Sequence, residues 1–473
     1  MNEFANLVGP DRGEAAHCVH LVDKAGFEDW AKRQSAPRRT LLEAARFDGK
    51  TPDQFLILPG NGDEPFEVVS AVSDKKTLSP WCLAKLSGAL PEGNYRLVDH
   101  APGAAMLGWL LAQHRFDRYK SEARAAQGPR VLLTTDPAAI ERTVRLAEAT
   151  ALVRDLVDTP AADMGPAEIE AAASQLAKTH GATIEVTRGD ALEQGYPMIA
   201  AVGRAATRER APRLIELRWG KEGAPRVALI GKGVCFDSGG LDIKPAGGMR
   251  LMKKDMGGAA HALALAGLVM AARLPIRLHL LIPAVENGVA EAAYRPGDVL
   301  RSRSGTTVEV HNTDAEGRLV LGDALTRAGE EQPELVIDFA TLTGAARVAL
   351  GPDLPALFVN DEALASDLSS ASIDEADPSW RMPLWDGYSD LLKSDIADLS
   401  NAAESPMAGC ITAALFLKRF VPKDVPWAHF DTYAWRPSGK PGRPKGGDAM
   451  GLRAAFALLE QRYNAASTTR KTA

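Results

Sequence analysis

The chain has 473 residues, of which 45% are hydrophobic, 25% charged and 6% aromatic, a composition that excludes a disordered or fibrous protein. At roughly 100–200 residues per domain the length suggests two or three domains, and two are preferred because α/β domains are often large. The 55 Lys and Arg against 61 Asp and Glu leave a formal net charge of −6. This charge gives no general attraction to phosphate backbones or anionic lipids, so nucleic acid is not expected as a partner.

Targeting and redox features point to the cytoplasm. The first residues carry no basic start followed by an apolar run, and the longest apolar stretch, Ala262 to Ala272, is too short to cross a bilayer. The cysteines are far apart and contain no Cys-x-x-Cys pair, so neither a disulfide framework nor a thiolate zinc site is expected. They are Cys18, Cys82, Cys235 and Cys410. We therefore expect a reducing, cytoplasmic location and no membrane association.

Residues 1–135 contain equal numbers of basic and acidic side chains and alternate strand-like with helix-like stretches. Short apolar runs at Phe55 to Leu58 and Val131 to Leu133 are typical of strands, and residues 102–114 favour a helix. The pattern predicts a small N-terminal α/β domain over 1–135.

A single helix is predicted next, over residues 136–157. Asp136 can cap exposed amides, Pro137 fits the first helical turn, and Thr159-Pro160 ends the segment. Apolar residues then recur at the spacing of one helical face, at Ile140, Val144, Ala147 and Ala151. We interpret this segment as a helix that links two domains.

Residues 158–473 alternate strand-like and helix-like segments, which favours crossover connections and a mostly parallel, doubly wound mixed sheet. The predicted strands are Thr183 to Val186, Leu214 to Leu217, Val227 to Ile230, Leu278 to Ile282 and Leu335 to Ile337. The predicted helices are Gly258 to Ala272, Leu319 to Ala328, Ile411 to Phe420 and Met450 to Gln461. The fold class is therefore α/β, with this larger domain following the small one.

Two loops of the larger domain carry clustered acids and bases. In open α/β sheets, functional groups gather beyond the carboxyl ends of strands, and residues 231–258 follow the predicted strand at Val227 to Ile230. The second loop, residues 312–318, precedes a predicted helix. If it is extended, Asp314, Glu316 and Arg318 share one face and converge.

Two carboxylates held so close repel each other unless a cation or a proton lies between them. A divalent metal supplies that cation, and a carboxylate can bridge two ions roughly 3.5–4 Å apart. Asp237 and Asp255 are the natural further ligands. Taken alone, however, an Asp-x-Glu pair is usually solvated, glycine clusters are usually turns, and Gly231-Lys232-Gly233 lacks the third glycine of a dinucleotide-binding motif.

The joint order of these segments resembles the dimetal leucine aminopeptidases, also called cytosol aminopeptidases, which include bacterial aminopeptidase A. Residues 312–319 (NTDAEGRL) reproduce the signature octapeptide of that family. GKGV at 231–234, FDSGG at 236–240 and DMGGA at 255–259 reproduce its metal-binding segments. The resemblance covers about residue 152 to the mid-450s and hardly reaches the first 135 residues.

The resemblance implies a metalloaminopeptidase with two divalent ions per subunit, Mn or Zn, with Mg as a further option. It assigns the metals to Lys232, Asp237, Asp255, Asp314 and Glu316. Lys232 can serve as a ligand only as a neutral amine, which adjacent divalent ions would favour. Lys244 is then a catalytic donor to the developing oxyanion, and Arg318 holds a bicarbonate that acts as general base.

The resemblance also implies that one metal binds the free α-amine of a peptide, so that only the first peptide bond is cleaved. The pocket for the first side chain would be lined by Met252, Thr341, Leu342 and Gly344. Such an apolar pocket favours leucine-like or methionine-like residues, although one methylene is worth only about 1–3 kcal/mol of discrimination. Peptides are thus the expected substrates, and a homohexamer is the expected assembly.

The sequence departs from the family pattern at several places. Residues Gly288 to Ala292 differ from the usual segment, Cys235 replaces a frequent threonine, and Tyr433 stands in a stretch that usually has small residues. We interpret Cys235 as a small buried side chain. Tyr433 can reshape the pocket or a subunit contact, so it bears most directly on the first-residue preference.

Two other classes of function stay open on the sequence alone. Some bacterial relatives also associate with DNA, but the balanced charge of residues 1–135 does not provide the basic stripe that phosphate neutralisation requires. Another dimetal hydrolase, such as a phosphoesterase, would use the same ligand types. Assays of a leucine anilide and of phenyl phosphate separate the two hydrolases.

Overall fold

The computed structural model describes residues 4–60, 64–121 and 128–464. The chain forms two compact units, one of Met1–Ala151 with Ser438–Lys445, the other of Leu152–Pro437 with Gly446–Ala473. The boundary between the units falls within helix α5 (Ile140–Asp158), which follows a 3-10 turn at Pro137–Ala139. Asp136 precedes this turn without a side-chain capping hydrogen bond, so the predicted cap is wrong.

The first unit has one mixed, mainly parallel sheet and short helices. Its described strands are β1 (Val8–Pro10), β2 (His17–Val22), β3 (Phe55–Leu58), β4 (Glu67–Ala71), β5 (Gly93–Leu97) and β6 (Arg130–Thr134). They lie in the order β1-β6-β5-β2-β4-β3, and only the β3–β4 pair is antiparallel. The helices are α1 (Phe27–Lys32), α2 (Ala36–Ala44), α3 (Ala84–Ala89) and α4 (Ala105–Leu111), with a 3-10 turn at Phe4–Leu7. The predicted small α/β architecture is confirmed.

The second unit is built on a larger mixed sheet. Its strands are β7 (Thr183–Arg188), β8 (Arg213–Trp219), β9 (Arg226–Gly231), β10 (Gly233–Asp237), β11 (Arg277–Asn287), β12 (Val299–Arg301), β13 (Thr307–Glu309), β14 (Leu335–Ala340), β15 (Ala356–Val359), β16 (Trp380–Arg381), β17 (Leu399–Ser400), β18 (Trp427–Asp431), β19 (Trp435–Arg436) and β20 (Gly446–Gly447). The main order is β16-β15-β18-β14-β9-β11-β8-β7, with β10 paired to β11. The central strands β18, β14, β9 and β11 are parallel to one another.

Helices cover both faces of this sheet. They are α6 (Pro166–His180), α7 (Gly189–Gly195), α8 (Pro197–Gly203), α9 (Ala246–Met249), α10 (Gly257–Ala271), α11 (Glu316–Glu330), α12 (Gly344–Leu350), α13 (Glu362–Asp374), α14 (Gly409–Lys418) and α15 (Leu452–Asn464). Short 3-10 turns lie at Ala161–Asp163, Met252–Met256 and Asp386–Leu392. Each predicted strand and helix of this region is present, with ends shifted by a few residues.

Strand β9 shows how the core is divided between the two faces. Ala228 and Ile230 belong to a core cluster shared with α8, α11 and α14. Val227 and Leu229 are equally buried, and because side chains alternate along a strand they lie on the opposite face, where α10 contacts β9 and β14. This two-sided burial explains why the strand reads as a continuous apolar run in the sequence.

Helix α10 approaches the sheet so closely that only glycine fits at its start. A Cβ on Gly258 would lie 2.2 Å from the carbonyl oxygen of Phe339 and 2.8 Å from the backbone nitrogen of Lys232. The backbone nitrogen of Ala259 donates to the carbonyl of Lys232 at 2.8 Å, which fixes the start of the helix beside the end of β9. The close approach brings the 3-10 turn that carries Asp255 against the carboxyl edge of the sheet.

Candidate metal centre

The predicted site lies at the carboxyl ends of three adjacent parallel strands. Lys232 directly follows β9, Thr341 directly follows β14, and Asp431 ends β18. The sheet register pairs Gly231 with Phe339 and Ala340 with Asp431, so the ends of the strands are level. The topology therefore brings segments that are about 100 residues apart in sequence to one edge, as expected for an open α/β sheet.

Lys232 lies at the centre of the site and is almost fully buried. Its Nζ is 2.6 Å from Oδ2 of Asp255 and 2.8 Å from Oε1 of Glu316, and it donates to the carbonyl of Thr341 at 3.3 Å. Burial alone would lower the pKa of Lys232, but Asp255 and Glu316 outweigh it and raise the pKa above its ordinary value. The amine is thus positioned between two carboxylates, where a proton and a metal cation would compete for it.

Lys244 connects the other two predicted acids. Its Nζ lies 2.9 Å from Oδ2 of Asp237 and also forms an ion pair with Asp314. Although burial opposes the charge, these carboxylates raise the pKa of Lys244 above its usual range, so the side chain is an ammonium at neutral pH. Asn287, the last residue before the departure at Gly288 to Ala292, donates to Oδ1 of Asp237 at 2.9 Å and orients that carboxylate.

Asp255 receives two further hydrogen bonds that the sequence did not indicate. Lys254 Nζ donates to Oδ1 of Asp255 at 2.9 Å, and the hydroxyl of Thr341 lies 2.7 Å from the same oxygen. Burial opposes ionisation of Asp255, but Lys232 and Lys254 lower its pKa well below the ordinary value. Thr341, predicted to line the substrate pocket, therefore also supports a candidate metal ligand.

Three carboxylates converge closely enough to share a cation. One oxygen from each of Asp237, Asp255 and Glu316 lies within 4.8 Å of the others, and all three side chains are buried. Burial and the charge of Asp237 raise the pKa of Glu316 to about 8 and that of Asp314 to about 6. Among the described residues, Oε2 of Glu316 is buried without a hydrogen-bond donor. Hard carboxylate oxygens gathered this closely fit divalent cations.

The signature loop differs from its predicted shape. The sequence reasoning brings Asp314, Glu316 and Arg318 together on the condition that the loop is extended, but helix α11 begins at Glu316. The three side chains nevertheless line one cavity, because Asp314 lies in the turn before the helix and the other two lie in its first turn. Gly317 allows Lys232 to pass, since a Cβ there would be 2.7 Å from Cε of Lys232.

Arg318 is a buried cation on the wall of this cavity. Its Nη1 donates to the carbonyl of Asn401 at 2.7 Å, and burial lowers its pKa to about 10. Within the described part of the chain, no carboxylate forms an ion pair with Arg318, and its Nε has no hydrogen-bond partner. A buried guanidinium of this kind is suited to hold an anion.

All predicted site residues line a single cavity of about 420 Å³. The predicted set comprises Lys232, Asp237, Lys244, Met252, Asp255, Asp314, Glu316, Arg318, Thr341, Leu342 and Gly344. The cavity also contains Lys254, Arg347 and Tyr433. Tyr433 is one of the departures from the family pattern, and Lys254 adjoins Asp255 in the sequence. Arg347 lies three residues after Gly344 in α12, a spacing that could have suggested a shared helix face.

Comparison with known proteins gives one match in each of the two units of the chain. Residues 151–456 match the family model described as "Cytosol aminopeptidase family, catalytic domain", and residues 18–129 match "M17 aminopeptidase, N-terminal domain". A "Probable cytosol aminopeptidase" of Roseiflexus castenholzii is 43% identical over 453 residues, covering 91% of each chain.

Solved structures show the same similarity in three dimensions. The crystal structure of a cytosol aminopeptidase from Coxiella burnetii has a TM-score of 0.91 and 45% identity, and covers 97% of this chain and 99% of that chain. The bottromycin maturation enzyme BotP in complex with Mn has a TM-score of 0.83 and 32% identity, and covers 95% of this chain and 100% of that chain.

The fold and its acidic site define the class of the protein as a metal-dependent peptidase. This chain belongs to the cytosol aminopeptidase family. It is accordingly a metalloaminopeptidase, a hydrolase that acts on peptides. Within the described residues, none of the helices has the length and apolar character needed to cross a membrane.

Proposed function

We propose that this metalloaminopeptidase removes leucine-like or other apolar first residues from peptides at a centre of two divalent cations. The observation that carries the proposal is the convergence of Asp237, Asp255 and Glu316 oxygens within 4.8 Å, beside the amine of Lys232. Carboxylates buried this close together repel one another unless further positive charge lies between them. Bound metal would supply that charge.

The proposed metal ligands are Lys232, Asp237, Asp255, Asp314 and Glu316. The free Oε2 of Glu316 and the hard oxygen donors support Mn, Zn or Mg, and the structural relative BotP was solved in complex with Mn. Lys232 would bind as a neutral amine, giving its proton up when metal enters. Two bound cations would lower the pKa of the attacking water and polarise the scissile carbonyl.

Lys244 and Arg318 are the proposed catalytic residues. The ammonium of Lys244, held by Asp237 and Asp314, can donate to negative charge that develops on the substrate carbonyl oxygen. Arg318 offers an unpartnered Nε and has no carboxylate ion pair among the described residues, which supports its holding a bicarbonate as general base. Loss of one oxyanion donor typically costs about 10²–10³ in rate.

The proposed pocket for the first side chain is formed by Met252, Thr341, Leu342 and Gly344. All four line the cavity, and Leu342 packs at the edge of the main core cluster, which supports an apolar wall. The hydroxyl of Thr341 is directed to Asp255, so it does not leave a free polar group facing the pocket. We propose a preference for leucine-like side chains on this basis.

The proposal also includes the domain boundaries, the assembly and the location of the protein. We propose an N-terminal domain over 1–135, a linking helix over 136–157 and the catalytic domain over 158–473, with the two family-model matches at 18–129 and 151–456 as support. A homohexamer and a cytoplasmic location are further proposals, the second supported by the names of the homologues.

The experiment compares leucyl-p-nitroanilide with phenyl phosphate, each assayed with Mn and then with excess chelator. We expect chelator-sensitive cleavage of the anilide alone. Glu316→Gln should abolish most of this activity and weaken Mn binding, because it removes a buried carboxylate from the cluster. Glu362→Gln is the matched control, since Glu362 is exposed and pairs with Arg381 outside the cavity.

Two results would overturn the proposal. Hydrolysis of the phosphate ester without cleavage of any free-amine substrate would indicate a phosphoesterase. Full activity and unchanged Mn affinity in Glu316→Gln would contradict its role as a ligand.

A further inference from the structure

Arg347 and Tyr433 form a cation–π pair on the wall of the cavity. Arg347 lies in α12, which follows β14, and Tyr433 lies two residues after the end of β18. The guanidinium carbon is 4.7 Å from the centroid of the tyrosine ring. The two loops are tied together by Asp431, whose carboxylate accepts from Thr343 Oγ1 at 2.6 Å and from the backbone nitrogen of Leu342 at 3.0 Å. These hydrogen bonds fix the start of α12 beside the end of β18, so the two side chains meet on the cavity wall.

Arg347 differs from the lysines of the cavity in its ion pairing. Lys232, Lys244 and Lys254 each form an ion pair with a cavity carboxylate. Among residues 4–60, 64–121 and 128–464, no carboxylate forms an ion pair with Arg347, and its side chain is exposed to the cavity. Its contact with the Tyr433 ring is electrostatic and uses no hydrogen bonds, so the N–H donors of the guanidinium stay available.

The position of this cation is next to the proposed pocket. A Cβ built on Gly344 would lie 3.7 Å from Nη2 of Arg347, so the guanidinium borders a residue of the first-side-chain pocket. Lys254, which is paired with Asp255, also lies near this ring, with its Nζ 5.9 Å from the centroid of Tyr433. A substrate carboxylate placed beside this guanidinium could form an ion pair with it, whereas an apolar substrate group could not.

We propose that Arg347, held against Tyr433, is a specificity-determining residue that receives a carboxylate of the substrate. The inference rests on the proposed aminopeptidase function and extends it to peptides with an acidic group near the scissile bond. Guanidinium and carboxylate groups match in a planar, two-bond geometry, which a lysine cannot reproduce. The carboxylate has two sources: an acidic first side chain, or the free terminus of a dipeptide.

The experiment measures kcat/KM for two matched pairs of substrates. Glutamyl- and glutaminyl-p-nitroanilide differ only in a side-chain carboxylate, and leucyl-glycine and leucyl-glycinamide differ only in a terminal carboxylate. We expect the wild-type protein to prefer the carboxylate-bearing member of one pair, and Arg347→Met to reduce that preference about 10- to 100-fold, as expected for a charged hydrogen-bonded pair. Arg347→Lys should restore part of the preference.

Two further variants separate a positioning effect from general damage. Tyr433→Phe keeps the ring and should keep the preference, while Tyr433→Ala should reduce it by releasing the guanidinium. Arg381→Met is the matched control, because Arg381 pairs with Glu362 outside the cavity and its loss should change neither pair.

The pair of substrates that responds identifies the source of the carboxylate. The inference would be overturned if, for both pairs of substrates, the ratio of kcat/KM between the two members were the same in the wild-type protein and in Arg347→Met. That result would leave the aminopeptidase assignment intact. Failure of the wild-type protein to cleave leucyl-p-nitroanilide or any other of these free-amine substrates would instead overturn the proposed function itself.

Discussion

Replacing Thr341 by valine tests whether this residue supports the metal centre or contacts only the substrate. The substitution exchanges the hydroxyl for a methyl group of similar size. In the structure, that hydroxyl lies 2.7 Å from Oδ1 of Asp255, a carboxylate that is 2% exposed. Valine therefore removes one hydrogen bond from a buried candidate ligand without opening a cavity.

The expected loss of metal affinity in Thr341→Val depends on the hydrogen bonds that Asp255 keeps. A hydrogen bond to a charged group contributes about 1.5–3 kcal/mol, which corresponds to about 10- to 100-fold in an equilibrium constant. Lys254 still donates to the same oxygen at 2.9 Å, so Asp255 Oδ1 keeps one partner. We therefore expect the lower end, about a 10-fold loss of metal affinity, as is typical when a group that supports a ligand is removed.

The assay is a Mn titration of the wild-type protein, Thr341→Val and Thr341→Ser, followed by kinetics at saturating Mn. Serine keeps the hydroxyl and should bind Mn almost as well as threonine. Activity of the valine variant should be largely restored by excess metal. An unchanged Mn affinity combined with a raised KM for peptides would refute the reasoning and assign Thr341 to the substrate pocket alone.

Two further predictions concern backbone space and a buried ion pair. Gly317→Ala should lower kcat, because the added Cβ would lie 2.7 Å from Cε of Lys232 and displace its amine; assays at saturating metal check this. Asp448→Ala should destabilise the fold by about 3 kcal/mol in denaturant unfolding, because it removes the carboxylate shared by the buried Arg154 and Arg436. We expect the lower end of the range for a broken buried ion pair, because Arg436 keeps its pairing with Asp353. Burial opposes ionisation of Asp448, but Arg154 and Arg436 outweigh it and lower the pKa of Asp448 below its ordinary value of 3.8. The ionised carboxylate therefore stabilises the fold above pH 3.8, and this stabilisation is lost as the pH falls through the lowered pKa. An acid-unfolding profile unchanged in Asp448→Asn would contradict this assignment.

The fold could be predicted from the sequence where burial leaves a periodic or continuous apolar pattern. Val227 to Ile230 reads as a buried strand because both of its faces are covered, and Gly258 to Ala272 reads as a helix within the core. The full set of candidate ligands could be predicted because the order of residues in the two loops resembles that of the cytosol aminopeptidases; taken alone, Lys232 would read as a surface lysine. Their convergence follows from the rule that such loops meet at one edge of a parallel sheet.

The shape of the signature loop could not be obtained in this way. An extended loop is the condition under which Asp314 and Glu316 are expected to converge, and that condition is not met, because the chain enters α11 at Glu316. No strong local signal marked that residue as the start of the helix, and the nearest predicted apolar periodicity began at Leu319.

By itself, then, the sequence determined the α/β class, the order of its elements and the chemical types of the site residues, since these depend on short-range pattern and spacing. Tertiary structure alone decided which groups touch: the hydroxyl of Thr341 on Asp255, and the guanidinium of Arg347 on Tyr433. These contacts join residues about 86 positions apart in each case. They depend on the register that pairs Ala340 with Asp431 and on the close approach of α10 to β14, which no local pattern specifies.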